Sequence, residues 1–230
     1  MFSGITHSQA RIAAIEEGAN SRRLTLAFVP GFCDGLRQGA SVAVDGACLT
    51  VSSEPMADHA DFDLILPTLI TSTLADCQVG DFVNVEHALK DGAEIGGHAL
   101  SGHVDYQATL LDSRPLGDNL KLQLTVPSGA LRYLFAKGYV ALNGVSLTIA
   151  AIDKTAGWIE VWLIPETRRA TNLGGKQAGE RLNLEIERQT QVLVDSTREV
   201  LEEKLGALLE LLGPQLAAPR RSHWTLPSGV

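Results

Sequence analysis

Long uncharged runs are missing from this sequence. The longest is Gly138–Ile152, 15 residues, and it contains Asn143 and Gly144. A membrane-spanning helix needs about 20 apolar residues, so none is expected. Cysteine is scarce: Cys33, Cys48 and Cys77 are odd in number and show no CxxC spacing. A disulfide framework and a cysteine-rich zinc site are therefore disfavoured, and a reducing, cytoplasmic setting is expected. Positive charge is short as well, with 19 Lys+Arg against 27 Asp+Glu and a net charge of −8. That balance speaks against nucleic acid and anionic membranes as partners, leaving room only for a local basic patch. Met1 is followed by Phe-Ser-Gly rather than a basic segment and an apolar run, so no secretory signal is expected. P-loop, strand-linked GxGxxG, HExxH and GxSxG patterns are absent, which removes the common nucleotide, zinc-protease and hydrolase signatures. What is present is a globular composition, 45% hydrophobic with a mean hydropathy of +0.08 over 230 residues. It is enough for a real core in one large domain or two small ones.

The chain repeats itself. Val44-Asp-Gly-Ala-Cys-Leu-Thr-Val51 matches Leu142-Asn-Gly-Val-Ser-Leu-Thr-Ile149 at an offset of 98. Ser3-Gly4 matches Ser101-Gly102, and Gln9-Ala10 matches Gln107-Ala108, at the same offset. Farther on the offset is 99: Leu64-Ile65 matches Leu163-Ile164, Thr68 matches Thr167, Gly80 matches Gly179, and Val83-Asn-Val-Glu86 matches Leu182-Asn-Leu-Glu185. The period is too long for a solenoid or propeller and about the size of one small domain, which implies a duplication.

Each half reads as β. Asp45-Gly46 and Asn143-Gly144 stand between short apolar runs, a tight-hairpin signal because both turns require positive φ. Further strands are expected at Arg23–Val29, Phe62–Leu66, Phe82–Glu86, Gln107–Leu111, Leu120–Val126, Trp158–Ile164 and Leu182–Glu185. Many short strands suit two small closed barrels, since closure removes exposed edges. Pro30–Leu36 and Ser128–Ala136 are expected as short helices. Beyond residue 190 the spacing of Val194, Thr197, Leu201, Leu205, Leu208 and Leu212 predicts one amphipathic helix, ended by Gly213-Pro214. Its stripe packs either on the barrels or against the same helix of other subunits. The expected divisions are 1–97, 98–188, a helix over 189–213, and a flexible tail over 214–230.

Three clusters could carry chemistry. Gly96-Gly97-His98-Ala-Leu-Ser-Gly102-His103 joins the halves, combining close backbone approach with groups that move protons near neutral pH. The plain alternative is a glycine-rich linker with structural histidines, and two histidines alone do not make a metal site. Cys48 corresponds to Ser146, and Thr50 to Thr148; Cys48 shares a strand face with Thr50, as Ser146 does with Thr148, and each such pair suits hydrogen bonding to a planar heterocycle. The alternatives are a small buried cysteine and ordinary surface alternation. Ile164-Pro165-Glu166-Thr167 with Thr171 is a rigid turn that could present Glu and Thr to a ligand, or simply cap a helix through Thr167 or Thr171.

Taken in order, Met1-Phe-Ser-Gly-Ile, Asp-Gly-Ala-Cys48-Leu-Thr, Gly-Gly-His98, Ser-Gly-His103-Val, Lys137-Gly138, Asn-Gly-Val-Ser146-Leu-Thr, Leu-Ile-Pro-Glu-Thr167 and Asn-Leu-Glu185 resemble the riboflavin synthase family of the α-chain type, across roughly residues 1–205. The resemblance implies a mainly β fold, two tandem six-stranded Greek-key barrels and a C-terminal helix that holds a homotrimer. It implies a transferase that dismutates two 6,7-dimethyl-8-ribityllumazine molecules by four-carbon transfer, giving riboflavin and 5-amino-6-ribitylamino-uracil. No added cofactor or metal is implied, and association with a lumazine synthase shell is left open. A noncatalytic lumazine- or flavin-binding protein of the same fold is the alternative.

Carried over by position, the resemblance assigns to the N-half pocket Cys48, Leu49 and Thr50, Asp63, Leu64, Ile65, Leu66, Pro67 and Thr68, Gly102, His103 and Val104, and Lys137. It assigns to the C-half pocket Gly4, Ile5 and Thr6, Ser146, Leu147 and Thr148, and Ile164, Pro165, Glu166, Thr167, Arg168 and Arg169. The resemblance implies that a complete site pairs an N-half pocket with the C-half pocket of a neighbouring subunit. Cys48, His103 and Ser41 are the expected catalytic residues. The chain departs from the family pattern at Pro67, where Glu is usual, at the hairpin pair Asp45 and Asn143, usually Asn then Asp, and at Glu187, often Asp.

Overall fold

The computed structural model describes residues 1–216, with side chains through residue 206. The first half supplies β1 (Ser8–Glu17), β2 (Ser21–Ala27), β3 (Ser41–Val44), β4 (Ala47–Thr50), β5 (His59–Ile65) and β6 (Phe82–His87). They form one antiparallel sheet in the order β4-β3-β6-β1-β2-β5, and a bridge from Val51 to Phe62 draws its two ends together. The second half supplies β7 (Tyr106–Leu116), β8 (Asn119–Thr125), β9 (Tyr139–Leu142), β10 (Val145–Asp153), β11 (Trp158–Leu163) and β12 (Arg181–Ile186), closed in the order β10-β11-β8-β7-β12-β9. Alternation sets the faces: Leu120, Leu122 and Leu124 point into the second barrel and are buried, while their neighbours look outward. Burying each such leucine contributes about 1.5–3 kcal/mol.

The duplication extends to irregularities. The register of β1 shifts between Ile12 and Ala14, and that of β7 between Leu110 and Asp112, the same positions 98 residues apart. In each case the residue at the bulge bonds back to the turn before the last strand: Ile12 N–H to Asp81 O and Leu110 N–H to Glu180 O, both 2.9 Å. Ser8–Glu17 was not expected as a strand, although its repeat, Gln107–Leu111, marks it. The expected helix at Pro30–Leu36 is instead a run of tight turns, with Phe32, Asp34 and Leu36 N–H each bonding three residues back. Gly31 at φ 88° and Gly35 at φ 77° leave the helical region. Ser128–Ala136 keeps only α2 (Ser128–Leu131) before Lys137, at φ 69°, turns the chain into β9. Short helices α1 (Leu66–Thr71) and α3 (Pro165–Ala170) follow β5 and β11.

The halves meet at their hairpin tips. A Cβ on Gly46 would stand 2.7 Å from Gly144 N, and one on Gly144 would stand 2.8 Å from Gly46 N. No side chain fits there, so both turns need glycine for contact as well as for φ. Around this point the bonds are reciprocal. Asn84 Nδ2 donates to Asn143 O (3.0 Å), and Asn183 Nδ2 donates to Asp45 O (2.8 Å). Asn84 N–H donates to Asp45 Oδ1, and Asn183 N–H to Asn143 Oδ1, at 2.7 and 2.8 Å. Asp45, Asn84, Asn143 and Asn183 are all buried, and this network satisfies them.

Met1–Gln191 forms one compact unit and the segment from Val192 onward another. Helix α4 (Arg188–Leu216) runs through Gly213-Pro214, the expected end, to Leu216. Pro214 sits in the last turn, where its missing N–H removes a single helical bond. The expected tail lies outside the described residues from 217 on. No described helix is long and apolar enough to cross a membrane.

Burial pushes the Asp45 carboxyl up to about 7, against the pull of Asn84 N–H, Lys176 and the Asn172 amide. The folded chain then holds this proton between about pH 4 and 7 while the unfolded chain releases it, so stability falls as pH rises through that window and levels off above it. Asp45→Asn keeps the Oδ1 acceptor and removes the titration. The variant should gain more than about 1 kcal/mol over the parent between pH 5 and 8 in urea unfolding; a difference that does not change with pH would refute the assignment.

Candidate functional site

Two outward-facing clefts lie where strands part. The two-residue hairpin puts the N–H and C=O of Cys48 and Thr50 on the edge of β4 away from β3. Only the Val51–Phe62 bridge links that edge to β5, so Cys48 and Thr50 face a gap whose far side is Asp63 and Ile65. In the second barrel β10 pairs with β9 over Val145–Thr148 and with β11 only from Ile149 on. Ser146 and Thr148 thus face the same kind of gap, opposite Trp162 and Ile164. Leu49, Leu64 and Leu147 alternate inward and are buried, so these three assigned residues offer only backbone atoms.

An irregular segment from the opposite half enters each gap. Gly102 O accepts from Cys48 N–H at 2.7 Å, and Gly4 O accepts from Ser146 N–H at 2.9 Å. A buried carboxylate locks each of these segments. Glu86 accepts from Ser3 N–H (2.6 Å), Ser3 Oγ–H (2.7 Å) and Gly4 N–H (3.1 Å). Glu185 accepts from Ser101 N–H and Oγ–H (both 2.7 Å) and Gly102 N–H (3.0 Å). Burial still pushes both carboxyls up, and the three donors restrain that shift. Losing either carboxylate would orphan two buried amides, at about 1–3 kcal/mol each.

These gaps are bordered by Cys48, Thr50, Asp63 and Ile65, with the entering Gly102, His103 and Val104, in the first barrel, and by Ser146, Thr148 and Ile164, with the entering Gly4, Ile5 and Thr6, in the second. His103 is exposed, and Arg188 fixes its backbone by donating Nη2–H to His103 O at 2.8 Å. Asp63 is held by Arg23 in a two-pronged pair at 2.7 and 2.9 Å. Leu66, Pro67 and Thr68 form the first turn of α1, and Pro165, Glu166 and Thr167 that of α3; Arg168 and Arg169 follow. Proline suits either first turn, so Pro67 replaces the carboxylate without disturbing the backbone. Glu166 is paired with Arg169, which holds its carboxylate below the usual range. Thr167 lies inside α3, whereas Thr171 ends it and stands at the N-cap position of the short 3-10 turn Asn172–Gly175; its Oγ1 makes no capping bond there and donates to Thr167 O instead.

Two assigned residues stand elsewhere. Lys137 does not line the N-half cleft of its own chain. It belongs to the second barrel, where its N–H donates to Ile149 O at 2.8 Å, as Gly39 N–H does to Val51 O in the first. Ser41 sits across the ladder from Thr50 but opens into a cavity of about 980 Å³ with Ser3, Ile5, His7 and His87. Residues absent from the assignment matter too. His98 bonds Ser146, Tyr139 stacks on His98, and Asn84 and Asn183 tie the halves. The repeat marks both asparagines. Cys33, Cys48 and Cys77 are free thiols, and burial raises Cys33 and, to about 12, Cys77. Among the described residues no three His, Cys, Asp or Glu side chains cluster as a metal site.

A family profile, the lumazine binding domain, matches residues 3–88 and again 101–187. The chain belongs to the lumazine-binding domain family. Its two copies coincide with the two barrels. Riboflavin synthase of Escherichia coli (strain K12) is 39% identical over 209 residues, 90% of this chain and 97% of that one. Riboflavin synthase of Chlamydia pneumoniae is 39% identical over 201 residues, 87% of this chain and 97% of that one. Among solved structures, LumP complexed with riboflavin superposes with a TM-score of 0.76 at 26% identity, covering 81% of this chain and all of that one. LumP complexed with 6,7-dimethyl-8-(1'-D-ribityl) lumazine gives 0.73, also at 26% identity.

The lumazine-binding halves depend on the glycines that cross between them. A Cβ on Gly102, at φ 78°, would stand 2.6 Å from Cys48 Cβ and 2.8 Å from Phe2 Cε2. Gly102→Ala should lower the unfolding free energy by about 2–4 kcal/mol, read from urea unfolding. Unchanged stability would mean that this crossing is not as tight as the backbone distances require.

Proposed function

We propose that this chain is a riboflavin synthase. It binds two molecules of 6,7-dimethyl-8-ribityllumazine, transfers a four-carbon unit from one to the other, and releases riboflavin and 5-amino-6-ribitylamino-uracil. The observation that carries this reading is the doubled cleft: one backbone design, repeated, with different reactive groups in each copy. The N-half cleft has Cys48 and His103 where the C-half cleft has Ser146 and Ile5. A reaction between two copies of one molecule needs two similar pockets with unequal chemistry, because one ring gives and the other receives. Holding both rings in register removes a bimolecular encounter, worth up to about 7–11 kcal/mol.

The two products together contain the atoms of the two substrates, so the chemistry asks for proton movement and carbon–carbon bond exchange without an outside oxidant. His103 is the proposed proton carrier at the acidic 7-methyl group, whose anion the electron-poor ring stabilises. Cys48 assists, by reversible addition to a ring or by orienting a water. Backbone edges at 48–50 and 146–148 supply donors and acceptors to the planar heterocycle. Incubation with pure 6,7-dimethyl-8-ribityllumazine should give riboflavin and the uracil in equal amounts. Cys48→Ser and His103→Gln should lower kcat by about 10²–10⁴-fold with much smaller changes in substrate affinity. A stoichiometric complex without turnover would select a noncatalytic binder, and full turnover in both variants would discard these roles.

The assembly we propose is a homotrimer, with the N-half cleft of one subunit facing the C-half cleft of the next. A role for Lys137 at an N-half ligand then requires the second barrel of an adjacent subunit. Helix α4 supports this reading: Val192, Leu193, Val200, Leu201 and Leu205 are all more than half exposed on one chain. Three free thiols suit a reducing cytoplasm. Sedimentation equilibrium of the full chain should return three times the 24.6 kDa monomer mass, and Leu201→Asp should shift it toward monomer. A monomeric parent protein would refute the shared site.

A further inference from the structure

His98 belongs to the glycine-rich junction, yet it works on the opposite cleft from its neighbour His103. Its ring is 5% exposed. Nδ1 lies 2.6 Å from Ser146 Oγ. The ring stacks on Tyr139, with centroids 5.1 Å apart and planes 15° from parallel. The repeat places Ser41 at the position of Tyr139 in the first half, so that half lacks this platform. Gly97 makes the approach feasible: a Cβ there would stand 2.3 Å from Ser3 O and 2.7 Å from Ser146 Cβ. The opposite ring nitrogen, Nε2, is buried and has no hydrogen-bond partner among the described residues.

These facts decide which nitrogen carries hydrogen. Burial lowers the pKa of His98, with Glu187 pulling weakly the other way, so the ring is neutral with one N–H and one lone pair. The Glu187 carboxylate accepts from Thr190 Oγ1 and does not bond to the ring. A buried N–H without an acceptor is rarer and costlier than a lone pair without a donor. The hydrogen therefore sits on Nδ1, and Nδ1–H donates to Ser146 Oγ. That leaves the Ser146 hydroxyl hydrogen free, and Ser146 is only half-buried.

We propose that His98 is a positioning residue of the C-half cleft: protonated at Nδ1, it holds Ser146 as a hydrogen-bond donor toward an acceptor atom, a carbonyl oxygen or ring nitrogen, of the bound heterocycle. The inference rests on the lumazine reading for the ligand and on geometry for the pair. It makes the two clefts unequal in a second way. Cys48 offers a weak S–H donor, whereas Ser146 offers an O–H whose direction is set from behind. A heterocycle with an accepting edge is thereby oriented before transfer begins.

The test uses the full-length protein. His98→Phe keeps the aromatic stack and removes the donor; His98→Asn returns an N–H near the δ position. With 6,7-dimethyl-8-ribityllumazine as substrate, His98→Phe should lower kcat by about 10–100-fold, less than the roughly 10²–10³-fold of removing an oriented donor outright because the Ser146 hydroxyl stays, with the melting temperature kept. His98→Asn should recover most of that loss. The double variant His98→Phe/Ser146→Ala should be no slower than Ser146→Ala alone. Multiplying losses in the double variant, or no recovery in a folded His98→Asn, would overturn the proposal. If the parent protein gives no turnover, the functional reading fails, and the pair is judged without substrate. ¹⁵N-histidine NMR should then find His98 neutral with hydrogen on Nδ1, and Ser146→Ala should shift that signal. A hydrogen on Nε2, or a cationic ring, would overturn the assignment.

Discussion

The contact between Gly46 and Gly144 governs this molecule. Two hairpin tips can approach to backbone distance only if neither carries a side chain, and that approach brings Asn84 and Asn183 within reach of the opposite turn. Once the tips meet, the chain before each barrel passes into the gap of the other. Gly102 then lies on Cys48, and Gly4 on Ser146. Neither cleft belongs to one half alone. A barrel cut free of its partner would keep its core but lose a wall of its binding cleft, along with the partners of its buried asparagine.

Electrostatics at this junction are held by burial against hydrogen bonding. Glu86 and Glu185 each gather three donors, and desolvation still raises both carboxyls. Asp45 is pushed higher, to about 7, although its repeat partner is the neutral Asn143. The network works with one amide and one titratable group because both supply the same Oδ1 acceptor to the β-strand opposite. The cost of charge at the centre therefore falls on one residue.

Duplication followed by divergence leaves the backbone of the two clefts nearly equal and their chemistry different. Cys48 against Ser146, His103 against Ile5, Ser41 against Tyr139 and Pro67 against Glu166 are changes at equivalent positions of one scaffold. They fall on outward strand residues, crossing segments and helix first turns, where substitution leaves the core intact. The inward residues between them, Leu49, Leu64 and Leu147, stay apolar because each fills a barrel. Such a division lets function change without refolding.

Much of this was legible in the sequence. The repeat, the Asp45-Gly46 and Asn143-Gly144 hairpins, the alternating strands and the apolar stripe after residue 190 are local patterns, and local patterns encode period and turn type directly. The motifs around Cys48, His103 and Ser146 fall at the two places where a segment of the other half meets a strand edge. What the pattern alone misread depended on context. Pro30–Leu36 and Ser128–Ala136 have helical composition but are turned by positive φ at Gly31, Gly35 and Lys137. That Lys137 belongs to the second barrel is likewise a matter of chain path, which no local pattern carries. The His98–Ser146 bond joins residues 48 apart through a gap that only Gly97 can pass. The chain itself determined where both hairpins and most strands fall, which faces are apolar and that it does so twice. Only the tertiary structure decided which segment crosses into which cleft, because that choice is set by packing at a two-glycine contact that has no sequence period.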